Sequence, residues 1–77
     1  MPTIFRIGAY RFFFYSSDIA ERMHIHVIKG RKEAKFWIVP LELACNEGFW
    51  AHELLVIRKM IYAHKERIEN EWNARVT

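Results

Sequence analysis

Seventy-seven residues are expected to make a single domain over 1–77, because a chain of this size buries only about 60% of the surface its unfolded form exposes and supplies one core. A 52% hydrophobic and 16% aromatic composition suits a globular fold and leaves apolar surface for a partner chain; a charge of +3 with a pI near 9.3 favours anionic partners only mildly, since no Lys/Arg run forms a basic tail. The lone Cys45 excludes an internal disulfide and a C-x-x-C zinc or redox motif, so a reducing compartment, the cytoplasm, is expected. The stretch from Met1 to Phe14 is broken by Arg6 and Arg11, lacks a cleavage signal and is not apolar enough to cross a bilayer, so no membrane association is expected.

The first half of the chain reads as two hairpins. Thr3 to Ile7 and Tyr10 to Tyr15 flank Gly8-Ala9, and a two-residue loop with Gly in first place matches the twist of paired strands. That turn sets Phe5 opposite Phe12 and Arg6 opposite Arg11. The second hairpin pairs His24 to Lys29 with Lys32 to Val39 around Gly30-Arg31. Its register sets Val27 by Ala34 and Ile25 by Phe36 on one face, and His26 by Lys35 and His24 by Trp37 on the other. Pro40 cannot donate to a ladder and ends the strand region, and Leu41 to Phe49, with Asn46 and Gly48, reads as a turn segment. One helix is then expected over roughly residues 50–73, with Trp50, Leu54, Ile57, Ile61, Ile68 and Trp72 on a stripe that covers the apolar sheet face. The expected fold is therefore α+β: a four-stranded antiparallel sheet of two β-hairpins packed by one C-terminal α-helix.

The run His24-Ile25-His26-Val27-Ile28 carries the chemistry. Alternation places both imidazoles on one strand face, away from the helix together with Lys35, and imidazole is the side chain best suited to proton transfer or metal ligation near neutral pH. His24 and His26 are candidates for the acid and base of RNA cleavage, with Lys35 or an arginine stabilising phosphorane charge. Two tolerated histidines on a solvated sheet face are the plain alternative. A metal reading needs a third ligand from Asp18, Glu21 or a partner, and no His-x-x-x-His or Cys/His cluster completes the pair, so the site is read as metal-free and no cofactor is expected.

Arg6 and Arg11, like charges directly opposite one another, make more sense if an anion or an acidic partner joins them. With Lys35, Trp37 and Tyr15 on the same face, they form a set of basic and aromatic groups that can hold phosphates and stack bases, as on single-stranded RNA platforms. His52 and His64 fall outside the helix stripe and read as surface residues; Cys45 reads as a small loop or core residue. Leu55, Val56 and Met60 lie off the central stripe and serve either to extend the core or to contact a partner.

The opening Pro2-Thr3-Ile4-Phe5-Arg6-Ile7-Gly8, the run Tyr10-Arg11-Phe12-Phe13-Phe14-Tyr15-Ser16, His24-x-His26-Val27, Glu33-Ala34-Lys35-Phe36-Trp37 and a helix ending in Glu71-Trp72 together resemble a widespread family of small bacterial proteins of unknown function, number four-one-six-zero. The resemblance spans nearly the whole chain. Members are often encoded beside a second small protein in what look like toxin–antitoxin modules, so the resemblance implies a toxin component with a cognate antitoxin encoded by an adjacent gene. The chain departs from the family pattern at Arg22-Met23, where a proline-rich approach to the first histidine is usual, and at Leu55-Val56, where polar residues are usual. The expectation is a toxin-like protein cleaving RNA without metal, set against a non-catalytic RNA- or protein-binding module and against the antitoxin partner itself, in a homo- or hetero-oligomer.

Overall fold

A computed structural model describes residues 3–76; Met1, Thr77 and Pro2, the first residue of the opening motif, lie outside the described residues. The strands are β1 (Thr3–Ile7), β2 (Tyr10–Phe13), β3 (His24–Lys29), β4 (Lys32–Trp37) and β5 (Glu42–Glu47), followed by helices α1 (Ala51–Ala63) and α2 (Lys65–Val76). A single 3₁₀ turn, Asp18–Ala20, lies between β2 and β3. The sheet is an antiparallel meander in the order β1-β2-β3-β4-β5.

Both hairpin registers follow from their turns. Gly8 and Gly30 have φ of 57° and 60°, while Ala9 and Arg31 keep negative φ, the pattern of a type II′ turn with Gly first. Phe5 faces Phe12 and Arg6 faces Arg11 in the first hairpin; His24 faces Trp37, Ile25 faces Phe36, His26 faces Lys35 and Val27 faces Ala34 in the second. β2 stops at Phe13 rather than Tyr15, because the chain turns there into the segment leading to Asp18.

The sheet has five strands and the helical region two helices, where four and one were expected. β5 occupies Glu42–Glu47 within the segment read as a turn. It is an edge strand with every residue exposed, so it carries none of the apolar alternation that marks β1 to β4, and it pairs with β4 through its backbone. The turn signal at Asn46 and Gly48 is real but marks the end of the strand: from within β5 the Asn46 side chain accepts from the Phe49 N–H and donates to the Phe49 carbonyl, both at 3.1 Å. The helix breaks at His64, whose backbone at φ −112°, ψ 17° leaves the helical region and whose N–H is shared between the carbonyls of Met60 and Ile61. No Pro or Gly marks this break. The His64 ring packs on Phe5 at 4.6 Å, and the Arg67 guanidinium donates to the Ile4 carbonyl at 2.9 Å, so α2 is pinned to β1 on a course of its own.

The core face carries Phe12, Ile25, Val27, Ala34 and Phe36 against Ile57, Ile61, Ile68 and Trp72. Trp50, expected on that stripe, is 68% exposed and stands just ahead of α1, while Leu54 packs at the margin. Its place next to the core is taken by Glu53. The Glu53 carboxylate accepts from the Trp50 N–H and from the Lys32 ammonium, both at 3.0 Å, with Lys29 at 3.6 Å, which ties the start of α1 to the β3–β4 hairpin. The Trp50 hydrogen bond and the two lysines hold the Glu53 carboxyl at about 2, below its ordinary 4.5.

Truncating Ile68 to Ala should cost about 2–5 kcal/mol in chemical denaturation, whereas Trp50→Ala should stay within about 0.5 kcal/mol; equal costs would refute the packing assigned to the two residues. Because the folded Glu53 carboxyl titrates below its unfolded value, its stabilisation is present above pH 4.5 and is lost as pH falls towards about 2. Glu53→Gln should therefore flatten the decline in denaturation midpoint across that window, and an unchanged slope would show that the charge contributes nothing.

Candidate functional site

The site is assembled around one carboxylate. After β2 the chain closes on itself: the Asp18 N–H donates to the Tyr15 carbonyl at 3.0 Å, and the Asp18 Oδ2 accepts the Tyr15 N–H at 2.7 Å. This local side-chain-to-backbone closure competes with strand extension and fixes the carboxylate. The same Oδ2 lies 3.1 Å from His24 Nε2 and 3.0 Å from His26 Nε2. Strand alternation in β3 supplies both rings side by side, and the 3₁₀ turn lays Asp18 over them.

The two histidines are held differently. His24 is fully buried, and its Nδ1 lies 2.7 Å from the Arg22 carbonyl. A carbonyl only accepts, so Nδ1 carries the proton and a neutral ring presents a lone pair from Nε2. The ring is enclosed by His26 at 5.1 Å, Trp72 at 5.2 Å and Trp37 at 5.7 Å. His26 reaches the margin of the site, stacked on Phe13 at 5.5 Å and met edge-on by Tyr15 at 4.6 Å. Its Nδ1 faces Glu33 Oε2 at 3.4 Å, and the Tyr15 hydroxyl donates to that same oxygen at 3.1 Å. Burial lowers the His26 pKa against the pull of the Asp18 carboxylate, which favours the neutral ring; burial and the Glu33 contact raise the Tyr15 pKa. Despite these short approaches, His24 Nε2 and both ring nitrogens of His26 are buried without a well-formed hydrogen bond among the described residues.

The basic and aromatic groups surround this cluster. Lys35 lies over the Trp37 ring at 4.6 Å and pairs with Glu21 at 2.8 Å, a contact that lowers the Glu21 pKa. Arg22 stacks on Trp37 at 4.9 Å and donates to the Val39 carbonyl at 2.8 Å. Arg11 lies over the Phe13 ring at 4.9 Å, and exposed Arg6 pairs with it in register on the same face. A shallow cavity of about 210 Å³ opens beside His26, bounded by Glu33, Lys35, Cys45 and Glu47.

His24, His26 and Lys35 thus share the face opposite the apolar core residues of β3 and β4, joined by Tyr15 and Trp37, with Arg6 and Arg11 towards the β1 edge. The histidines themselves are covered rather than solvated. Leu55 and Val56 are exposed on α1, whereas Met60 packs against the core margin. Cys45 is exposed on β5, neither loop nor core. Sequence reasoning named Asp18 only as a conceivable ligand and passed over Glu33. Its alternation with Lys35 and Trp37, two and four residues on, was the signal that placed Glu33 on the histidine face.

Fold and site together define a small α+β protein with a buried carboxylate and two histidines on one face of a meander sheet. Residues 9–73 match the family model described as Domain of unknown function (DUF4160), and the chain belongs to that family. No curated protein and no solved structure matches it significantly. No helix among the described residues is long and apolar enough to cross a membrane.

The Arg22 carbonyl fixes the tautomer of His24. In ¹⁵N–¹H correlation spectra of the imidazoles, His24 should show a protonated Nδ1 at every pH at which the fold persists. A neutral His24 protonated on Nε2 alone would overturn the geometry described here.

Proposed function

We propose that this protein is the toxin-like member of a bacterial two-gene pair and that it acts on RNA at the Asp18–His24–His26 cluster. The observation that carries the reading is the gathering of three buried, chemically competent side chains beneath a rim of Arg11, Lys35, Arg22 and Trp37. Cations at that rim are suited to phosphates and the aromatic rings to stacked bases, while the cluster supplies the groups that phosphodiester cleavage needs. His26, at the margin of the site, is the member that meets substrate; His24 has no exposed atom and supports it through the shared carboxylate. The association with a partner gene rests on the family's resemblance to toxin–antitoxin modules.

A binding module without catalysis is the second reading, and the burial of both rings favours it. Expression with and without the adjacent gene, together with RNA cleavage by purified protein, separates the readings. His26→Ala should lower growth inhibition and cleavage by about 100-fold or more while the circular dichroism of the fold persists, since positioned acid–base groups contribute 10²–10⁴. Full activity in the folded variant leaves the face a binding surface at most; protection by this chain against its neighbour makes it the antitoxin. Activity that survives chelation retains the metal-free form of the chemistry.

The neighbour's product should co-purify with the chain, faster to associate at low salt if it brings acidic groups to the basic face. Reversing the charge of Arg6 and Arg11 tests that face, and polar replacement of Leu55 and Val56 tests the outer side of α1. A complex weakened by neither pair would exclude both surfaces.

A further inference from the structure

We infer that Asp18, His24 and His26 form a binding site for one divalent transition-metal cation. The inference goes beyond the RNA reading and does not rest on it, because it follows from the arrangement of acceptors alone. The carboxylate oxygen and the two Nε2 atoms are buried and converge, with one ligand atom from each residue within 4.8 Å of the others. Two sides of this triangle, the 3.1 Å and 3.0 Å approaches from Asp18 to the histidines, are close to the ~3.3 Å that separates tetrahedral ligands about 2.0–2.1 Å from a shared ion; the side between the two rings, bounded at 4.8 Å, has to match it in the loaded state.

The decisive feature is the direction of the lone pairs. His24 donates from Nδ1 to the Arg22 carbonyl, so a neutral ring turns the lone pair of Nε2 towards the carboxylate of Asp18. His26 faces a carboxylate from each nitrogen and, when neutral, has one proton for the two of them. Acceptor therefore meets acceptor in a buried place, which is unfavourable until a positive charge sits between them. The absence of well-formed hydrogen bonds at both Nε2 atoms among the described residues agrees with this. The Arg22 carbonyl on the far nitrogen of His24 is the outer partner that a metal-bound imidazole ordinarily has, fixing its tautomer and raising its basicity. Glu33 stands in the same relation to His26.

Two imidazoles and one carboxylate suit zinc, iron(II), cobalt or nickel, and exclude calcium and magnesium, which demand oxygen ligands. Three protein ligands leave a position open to water, and the cavity beside His26 is where the site approaches solvent. In the loaded state His26 is a ligand, so an acid–base role at this site would pass to the water held in that position.

The test uses the purified chain stripped by chelator and titrated with zinc at pH 7.5 by calorimetry and thermal unfolding. The expected result is saturable binding of one equivalent, with the unfolding midpoint raised by about 10–20 °C at a hundred-fold excess over the dissociation constant. Asp18→Asn keeps an oxygen for the Tyr15 N–H but loses the charged ligand, and His26→Gln removes the outer ring. Each should weaken zinc by more than the 10–100-fold that losing an outer partner costs, while His52→Ala, at an exposed histidine, should not. On the wild type alone, zinc should shift the imidazole ¹⁵N signals of His24 and His26 and leave those of His52 and His64 in place, a readout that needs no variant to fold. Absence of saturable binding, unchanged affinity in folded Asp18→Asn, or shifts confined to His52 and His64 would each overturn the site. Zinc binding in a chain that never cleaves RNA leaves the site standing and removes the proposed function; chelator-resistant cleavage in a chain that binds no zinc does the reverse.

Discussion

A central strand buried on both faces is the constraint from which this molecule is built. β3 lies in the middle of the meander, and its residues from His24 to Val27 are all buried. Alternation gives one of its faces Ile25 and Val27, which need only apolar neighbours and find them in Phe12, Phe36 and the helices. The other face holds two imidazoles, and burying these is costly unless their nitrogens are satisfied. The turn after β2 meets that demand only in part: it carries Asp18 over the strand, held by the Tyr15 backbone, within 3.1 Å of both Nε2 atoms but without a well-formed hydrogen bond to either among the described residues. The placement of the 3₁₀ turn, the approach through Arg22 and the closeness of Trp72 all serve one covered polar pocket.

Where local chemistry specifies structure, the sequence was readable. Gly8 and Gly30 dictate their turns, the turns dictate the registers, and alternation then assigns every residue of β3 and β4 to a face. The shared face of His24, His26 and Lys35 was legible for this reason. What escaped was specified by longer-range packing. β5 is held by backbone pairing at an exposed edge and has no periodic apolar signal, so the turn residues at its end, Asn46 and Gly48, outweigh the strand that they close. The break at His64 arises from contacts with Phe5 and Ile4, far away in sequence, and no helix-breaking residue announces it. The burial of the histidines was invisible for a similar reason: it depends on where the Asp18 turn and Trp72 land.

Two buried carboxylates show how the same chemical group is put to different uses. Glu53 is surrounded by donors, a backbone N–H and two ammonium groups, so its charge is fully compensated and it acts as a clamp between α1 and the β3–β4 hairpin. Asp18 receives one backbone N–H and is otherwise faced by imidazole nitrogens, groups able to present either a proton or a lone pair. Its compensation therefore depends on what the histidines carry. A clamp of the first kind has one stable state; the second kind changes with proton or cation, and the proposed metal site rests on that difference.

The arrangement also separates the cluster from an exposed apolar cleft on the helices. The cluster sits on the sheet face opposite the core, whereas Leu41, Leu55 and Tyr62 line a cleft of about 570 Å³ with Arg58, Lys59 and Lys65 around the outside of the helices. Leu55 and Tyr62 are 61% and 72% exposed there, which leaves apolar surface open to a partner. A protein seated in that cleft would leave His26 open, while one seated on Arg6 and Arg11 would approach the histidine face directly. For the proposed partner, inhibition by blocking and association without blocking would thus fall to different surfaces. Trp72 of the second helix belongs to the apolar core and also touches His24, so the packing of the helices and the histidine cluster meet at this one ring.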